Sequence, residues 1–181
     1  MWAKELFGTE KPIIALLHLD PLPGDPDFCG SLDTVIEHAS CDVKALQEGG
    51  VDGVLIANEF SFPMTYVSHT ETLMAMACVI GAIKKDIHVP FGTNVVMNPE
   101  ETIRMAKAVG ASFGRSAFAG AFTGTYGVHV NNFGENVRLK YALGISEMKL
   151  LCKINPEGDV LLAEQSIEEI IDNVTLGDHV G

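Results

Sequence analysis

Two ionisable residues that could exchange protons stand at the end of the first apolar stretch of the chain. His18 closes the run 12–19, and Asp20 follows two residues later. In an extended chain, residues i and i+2 point to the same side, so the pair could be a proton-transfer residue and its partner. Alternatively, His18 caps the core and Asp20 starts the proline-rich turn that follows. We take His18 and Asp20 as candidate catalytic residues.

Polar residues also end the second and fifth apolar stretches. Asn58 and Glu59 are adjacent, and adjacent strand residues face opposite ways, so only one can face a shared site. Glu59 is the candidate acid or base, and Asn58 is a candidate for substrate binding. Lys149 and Lys153 lie four residues apart and share a face of a strand. Lys153, nearer the carboxyl end, is the candidate catalytic lysine, as a Schiff-base amine or a phosphate ligand.

Three further residues are candidates for substrate binding. Asn94 lies inside an apolar run, where a buried amide needs a partner on a ligand or on a neighbouring strand. Arg115 has a guanidinium that suits a carboxylate or phosphate, or an ion pair with Glu59. His129 lies in the Gly-rich stretch 122–135, which reads as a flexible loop that could close over a site.

The sequence shows no recognisable metal or cofactor motif. No two histidines have the i,i+2 or i,i+4 spacing of a His-pair metal site, so we assign no metal. A Mg²⁺ ion held by Asp20 and Glu59 through water is a minor alternative. The chain contains no G-x-x-x-x-G-K-[ST] loop, and the glycines of 122–135 do not fit G-x-G-x-x-G. We expect no cofactor.

Composition narrows the possible partners. The net charge is −12 with only 12 Lys and Arg, so we do not expect nucleic-acid binding. The longest apolar run, 73–83, has 11 residues and is too short to span a bilayer. No secretory leader precedes it, and the four cysteines form no C-x-x-C pair. These features favour a cytoplasmic protein with free thiols.

Apolar strands alternate with helical periods along the chain, which predicts a single α/β domain over 1–181. Four pairs with capping-box spacing mark helix starts, and Gly after a helical stretch precedes several strands. The pairs are Ser68–Glu71, Asn98–Glu101, Asn132–Glu135 and Ser166–Glu169. The predicted strands are 12–19, 51–60, 89–98, 111–120 and 146–154.

Two architectures fit five such β/α units. One is a doubly wound five-stranded sheet, and the other is part of a TIM-type (β/α)₈ barrel, whose full length is about 250 residues. Every predicted strand carries its polar residues at its carboxyl end. In a barrel these ends surround one common mouth, so the pattern favours the incomplete barrel of about five β/α units.

Four segments of the chain are distinctive: FGTEKPIIALLHLDPLPGDP, ALQEGGVDGVLIANEFSFP, VPFGTNVVMNP and FAGAFTGTYGV. They resemble the BtpA/SgcQ family, and its SgcQ-like branch in particular. The resemblance implies a TIM-type barrel of about eight β/α units, of which this chain would carry five and lack the last three. Loops of the missing units commonly form the phosphate site of such barrels. One departure is Arg115-Ser116-Ala117, where we expect an acid or asparagine after the arginine.

The family context implies two functions of different kinds. One branch is associated with sugar-phosphotransferase genes, which suggests an enzyme acting on a small phosphorylated metabolite by acid–base or aldolase-like chemistry. The other is associated with photosystem I biogenesis, which suggests a non-catalytic binding scaffold. An unclosed barrel would also leave open strand edges, so we expect homo-oligomers or self-association through them.

Overall fold

Eight strands form two sheets in this computed structural model, which describes residues 2–156 and 158–175. The strands are β1 Ile14–His18, β2 Gly53–Ala57, β3 Phe91–Asn94, β4 Phe113–Ser116, β5 Gly120–Gly124, β6 Gly127–Asn131, β7 Lys149–Cys152 and β8 Val160–Leu161. The larger sheet is parallel, with the order β1-β2-β3-β4-β7. Its edge strands β1 and β7 do not pair with each other in the part of the chain described, so the barrel is not closed.

Helices separate the strands of the parallel sheet, as the sequence predicts for β/α units. They are α1 Trp2–Phe7, α2 Leu32–Glu48, α3 Thr70–Ile83, α4 Pro99–Val109, α5 Phe133–Ala142 and α6 Ile167–Thr175. Within residues 2–156 and 158–175, no helix has both the length and the apolarity needed to cross a bilayer.

Local signals explain most of the helix starts. The Ser31 hydroxyl accepts a hydrogen bond from the Thr34 N–H at 3.2 Å and caps α2. The predicted start at Ser68 is wrong, because His69 is the N-cap of α3 and makes no side-chain cap bond. Asn98 does precede α4, but its amide donates to the carbonyls of Val96 and Thr65 instead of accepting from the helix.

The main core lies between the outer face of the parallel sheet and the helices. Leu17, Val54 and Ile56 pack against α2 and α3, where Val79, Ile80 and Ile83 are fully buried. A second cluster joins α4 to β7 through Ile103, Ala106 and Leu150. These contacts fix the strands, and therefore the residues at their carboxyl ends.

The amino-terminal helix α1 packs against the inner face near the amino ends of the strands. Phe7 contacts Phe113 edge to face, with ring centroids 5.5 Å apart. Gly92 makes room for this ring, because a Cβ there would lie 2.3 Å from Phe113. The amino end of the sheet is therefore filled by aromatic side chains, whereas its carboxyl end carries the polar residues.

The second sheet is antiparallel; its strands β5 and β6 follow β4, and its strand β8 follows β7. Its order is β6-β5-β8, and β5 and β6 form a hairpin across residues 125 and 126. Two predictions are corrected here: the strand expected over 111–120 ends at Ser116, and the expected flexible loop 122–135 is mostly hairpin. Gly124 and Gly127, the latter with φ of 110°, flank the hairpin turn, and Gly134 lies in α5, so the glycines were misleading loop signals.

Candidate active site

A cavity of about 230 Å³ lies at the carboxyl ends of the parallel strands. The parallel sheet contributes Glu59 two residues after β2, Asn94 at the end of β3 and Lys153 directly after β7. The antiparallel sheet and its flanking turns contribute the opposite wall, with Thr125, Tyr126, His129, Asn131 and Asp159. The cavity is therefore built jointly by the two sheets.

Asn94 is a buried polar residue that the parallel sheet contributes to this wall from the end of a strand. It pairs with Ala57 in the β2–β3 register and is only 5% exposed. Its side-chain amide makes no hydrogen bond to any of the described residues, although it lines the cavity. A buried amide normally has a partner, so this one is available to a bound molecule.

Glu59 and Lys153 bring opposite charges to the same cavity. Neither side chain forms an ion pair or a hydrogen bond within residues 2–156 and 158–175, and they do not pair with each other. Lys153 is anchored through its backbone N–H, which donates to the Ser116 carbonyl at 2.9 Å. Two unpaired charges facing one space can bind different groups of a single ligand.

His129 is held by aromatic rings on both sides. Its imidazole lies 4.7 Å from the Tyr66 ring and 5.2 Å from the Phe122 ring, measured between centroids. The side chain is 10% exposed, and burial lowers the pKa of His129 below its ordinary value, with Asp159 acting in the opposite direction. The imidazole is therefore neutral near pH 7 and can accept a proton.

Asp159 is the acidic neighbour of His129. One carboxylate oxygen lies 4.0 Å from Nε2 of His129, and the Asp159 side chain is 13% exposed. The carboxylate rests against Gly124, where a Cβ would lie 2.0 Å from Oδ1. The absence of a side chain at position 124 thus allows the carboxylate to reach its place beside the imidazole.

The first candidate pair does not come together at the cavity. Asp20 lies 2.7 Å from Nδ1 of His38 on α2, within hydrogen-bond distance, and His18 packs edge-on against Phe60 at 5.7 Å. Neither His18 nor Asp20 lines the cavity. The two residues therefore lie beside the site and not in its wall.

Asn58 and Arg115 also lie outside the cavity wall. Asn58 accepts a hydrogen bond from the Val96 N–H at 2.8 Å, which ties β2 to the segment after β3. Arg115 is partly buried, its Nε has no hydrogen-bond partner in the described parts of the chain, and no ion pair with Glu59 forms there. Asn58 faces a neighbouring pocket lined by Ser61, Ser68 and other residues.

The described residues contain no group of three or more His, Cys, Asp or Glu side chains placed to hold a metal ion. Of the two residues suggested for Mg²⁺, Glu59 lines the cavity and the Asp20 carboxylate contacts His38. The chemistry that the cavity residues offer by themselves is proton transfer and the binding of polar groups.

Asp159, Tyr66 and Tyr126 are site neighbours that sequence reasoning missed. Asp159 comes 30 positions after His129, and the antiparallel pairing of β5 with both β6 and β8 brings the two together. The strand that contains His129 did have a sequence signal: the alternation of Val128, His129 and Val130 is typical of a half-buried strand.

A parallel β/α sheet whose strands follow one another in chain order, without the reversal of a doubly wound sheet, and whose polar cavity lies at the carboxyl ends is typical of the TIM-barrel class. The solved structures agree. The chain resembles 7,8-dihydropteroate synthase from Vibrio fischeri ES114, a TIM-barrel enzyme, with a TM-score of 0.59, 17% identity, and coverage of 94% of this chain and 60% of that one. The chain also resembles dihydropteroate synthase from Xanthomonas albilineans, with a TM-score of 0.51 and 16% identity. That match covers 77% of this chain and 42% of the other. At these identities the likeness is one of fold.

Sequence comparison identifies the family. The BtpA family model matches residues 9–180, so the chain belongs to the BtpA family. The sgc region protein SgcQ of Escherichia coli (strain K12) is 43% identical over 98% of this chain and 67% of its own length. The photosystem I biogenesis protein BtpA of Synechocystis sp. is 31% identical over 83% of this chain and 53% of its own length. The resemblance inferred from the four sequence segments is confirmed.

Proposed function

We propose that this protein is an enzyme that acts on a small, phosphorylated, sugar-type metabolite bound in the cavity. The observation that carries the proposal is the convergence of Glu59, Lys153, Asn94 and His129 on one cavity, the first three having no side-chain partner among residues 2–156 and 158–175. Such a set of convergent polar groups in one cavity is typical of a small-molecule site.

Each residue has a role that follows from its chemistry. Lys153 binds the anionic group of the metabolite or forms a Schiff base with its carbonyl. Glu59 exchanges a proton with a hydroxyl or carbon of the ligand, and Asn94 hydrogen-bonds a hydroxyl or carbonyl oxygen. Lyase, isomerase or hydrolase chemistry is compatible with these roles.

Ligand binding can be tested with a panel of sugar phosphates and matched neutral sugars. We expect a phosphorylated compound to raise the melting temperature of the chain, whereas its neutral counterpart has a smaller effect. Lys153→Met should weaken binding by roughly tenfold to a hundredfold, since a hydrogen bond to a charged group contributes about 1.5–3 kcal/mol. Lys107→Met on the exposed face of α4 is the matched control.

Two results would overturn the proposal. One is the absence of a thermal shift with every phosphate of the panel. The other is a shift that Lys153→Met and Lys107→Met reduce equally, because the ligand would then bind somewhere else. Isothermal titration with the best compound, repeated with added Mg²⁺, also shows whether Glu59 contributes to a metal-assisted site.

A second function, a non-catalytic assembly factor, is favoured by one observation. The antiparallel sheet exposes an apolar face in which Val128, Val130, Val160 and Leu162 are 62%, 73%, 65% and 55% exposed. Such a face can bind another protein. If Val130→Lys abolished complementation of a strain lacking the gene while Glu59→Gln and Lys153→Met preserved it, the scaffold function would replace the enzyme.

We further propose that the chain self-associates through the open edges of β1 and β7, each of which pairs on one side only among the described residues. The exposed Leu16 on β1 supports this proposal. Sedimentation velocity should show dimers or larger species, and a monomer at all concentrations would disprove it. The free cysteines support a cytoplasmic location, which cell fractionation tests.

A further inference from the structure

We propose that His129 and Asp159 form an acid–base pair in the wall of the cavity, in which His129 transfers the proton and Asp159 positions and stabilises it. This inference rests on the proposed function, because it concerns the same cavity. It adds a residue that the sequence did not indicate, and it changes the role of His129 from binding to proton transfer.

The two nitrogens of His129 differ in their surroundings. Nδ1 is shielded from solvent and has no hydrogen-bond partner in the described parts of the chain. Nε2 is the nitrogen nearest the Asp159 carboxylate, at 4.0 Å, and both residues line the cavity. Nε2 is therefore the atom that can exchange a proton with a bound molecule.

The distance of 4.0 Å between Nε2 and the carboxylate is too long for a direct hydrogen bond. In the tautomer that carries its proton on Nδ1, Nε2 can instead accept a hydrogen bond from a ligand hydroxyl, which has one proton to donate. Catalytic hydrogen bonds are also often long before the ligand binds. The geometry thus suits a hydroxyl of the metabolite that donates its proton to Nε2, while the Asp159 carboxylate lies beside the imidazole.

The proton-transfer step is balanced within this geometry. The O–H bond of the ligand hydroxyl breaks, an N–H bond forms at Nε2, and the electron pair stays on the ligand oxygen. The imidazolium then lies beside the negative charge of Asp159, which stabilises it. The proton returns to the product in a later step, so His129 is regenerated and no oxidant or reductant is needed.

The surroundings hold the pair in position. The rings of Tyr66 and Phe122 lie at 34° and 25° to the imidazole and limit its rotation. Gly124 leaves the space that the Asp159 carboxylate occupies. Asp159 and Tyr66 lie next to the imidazole, and Glu59, Lys153 and Tyr126 line the same cavity. Burial together with Asp159 and Tyr126 raises the pKa of Tyr66, so Tyr66 stays uncharged in the relevant pH range.

The pair can be tested without knowing the substrate. The pH midpoint of the His129 imidazole is measured by proton NMR on the whole chain, with His129→Gln used to assign the resonance. Asp159→Asn should lower this midpoint, because it removes the carboxylate that favours the charged ring. Gly124→Ala should shift it the same way by displacing the carboxylate, and Asp172→Asn on exposed α6 should leave it unchanged.

Turnover tests the role of the pair once a substrate is found. His129→Gln should lower kcat by about 10²–10⁴-fold, the usual range for general acid–base catalysis. Asp159→Asn should lower kcat less and move the acidic limb of the pH profile to lower pH, with KM little changed. An NMR midpoint that is the same in Asp159→Asn and in the wild type would overturn the pairing, whether or not a substrate is known.

The two proposals can fail separately. If no phosphorylated compound binds but the midpoint shifts as expected, the proposed function fails and the pairing of His129 with Asp159 stands as a structural fact. If the metabolite binds and His129→Gln keeps full kcat, the cavity is the site but His129 is not its acid–base group.

Discussion

The two sheets of this protein differ in how they are supported. All five positions of β2 in the parallel sheet are buried, whereas β6 in the antiparallel sheet is exposed at three of its five positions. Helices cover the outer face of the first sheet, while the second has an open apolar face. Glu59, Asn94 and Lys153 thus come from the well-packed part of the molecule, and His129 and Asp159 from the part with fewer buried contacts.

This difference suggests a division of labour within the site. The parallel sheet fixes the residues proposed to bind the ligand, because apolar clusters pack on both faces of its strands. The antiparallel sheet carries the proposed proton-transfer pair on an element that can move with less loss of packing. We expect changes in the two sheets to have separable effects on stability.

The largest loss of stability should come from a substitution in the parallel sheet. Phe113→Ala removes a ring that is 1% exposed and packs against Phe7, so it should lower the free energy of unfolding by about 3–5 kcal/mol. Val130→Ala on the open face of the antiparallel sheet should change it by about 0.5 kcal/mol or less. Urea denaturation measures both, and similar losses for the two variants would contradict the comparison.

An intermediate loss of stability is expected from a substitution between β6 and α5. The Asn132 side chain accepts a hydrogen bond from the Glu135 N–H at 3.2 Å and caps α5. Asn132→Ala should cost about 1 kcal/mol, since a helix N-terminus then loses its side-chain acceptor. Asn132→Ser keeps an acceptor and should retain most of the stability; equal losses in the two variants would show that the cap is unimportant.

The smallest effect is a pH dependence of the stability that arises from His129 in the antiparallel sheet. Because burial lowers the pKa of His129 from the ordinary 6.5, the unfolded chain binds more protons than the folded one between that lowered value and 6.5. Stability should therefore fall as the pH drops through this window. The melting temperature of the wild type should fall more than that of His129→Gln between about pH 7.5 and about pH 5.5. Parallel declines would contradict this assignment.

Sequence reasoning succeeded where the signal was local and repeated. Five parallel strands with intervening helices followed from alternating apolar runs and Gly-terminated helices, and the capping pair Ser166–Glu169 forms both of its hydrogen bonds. It was wrong at Ser68, because a capping pattern locates a helix start only to within a residue or two. Polar strand ends identified Glu59, Asn94 and Lys153 as candidates, and all three line the cavity.

The side-chain positions that sequence reasoning did not predict depend on contacts between residues distant in sequence. Asp20 turns to His38 on α2, and Asn58 bonds the backbone of Val96, neither of which a strand pattern can reveal. The glycines of 122–135 resemble a loop, although most of them stand at strand ends or in the hairpin turn. Asp159 could not be found, because its place beside His129 depends on the register of three strands.

The close approach of Asp159 to Gly124 has a consequence for the history of the family. A side chain can enter position 124 only after the carboxylate at position 159 has been lost or moved, because the two cannot share the space. We therefore expect positions 124 and 159 to change together among relatives. Where position 159 is aspartate, position 124 should be glycine; where it is not, position 124 should accept larger residues. The joint pattern would separate members that kept the pair from those that gave it up.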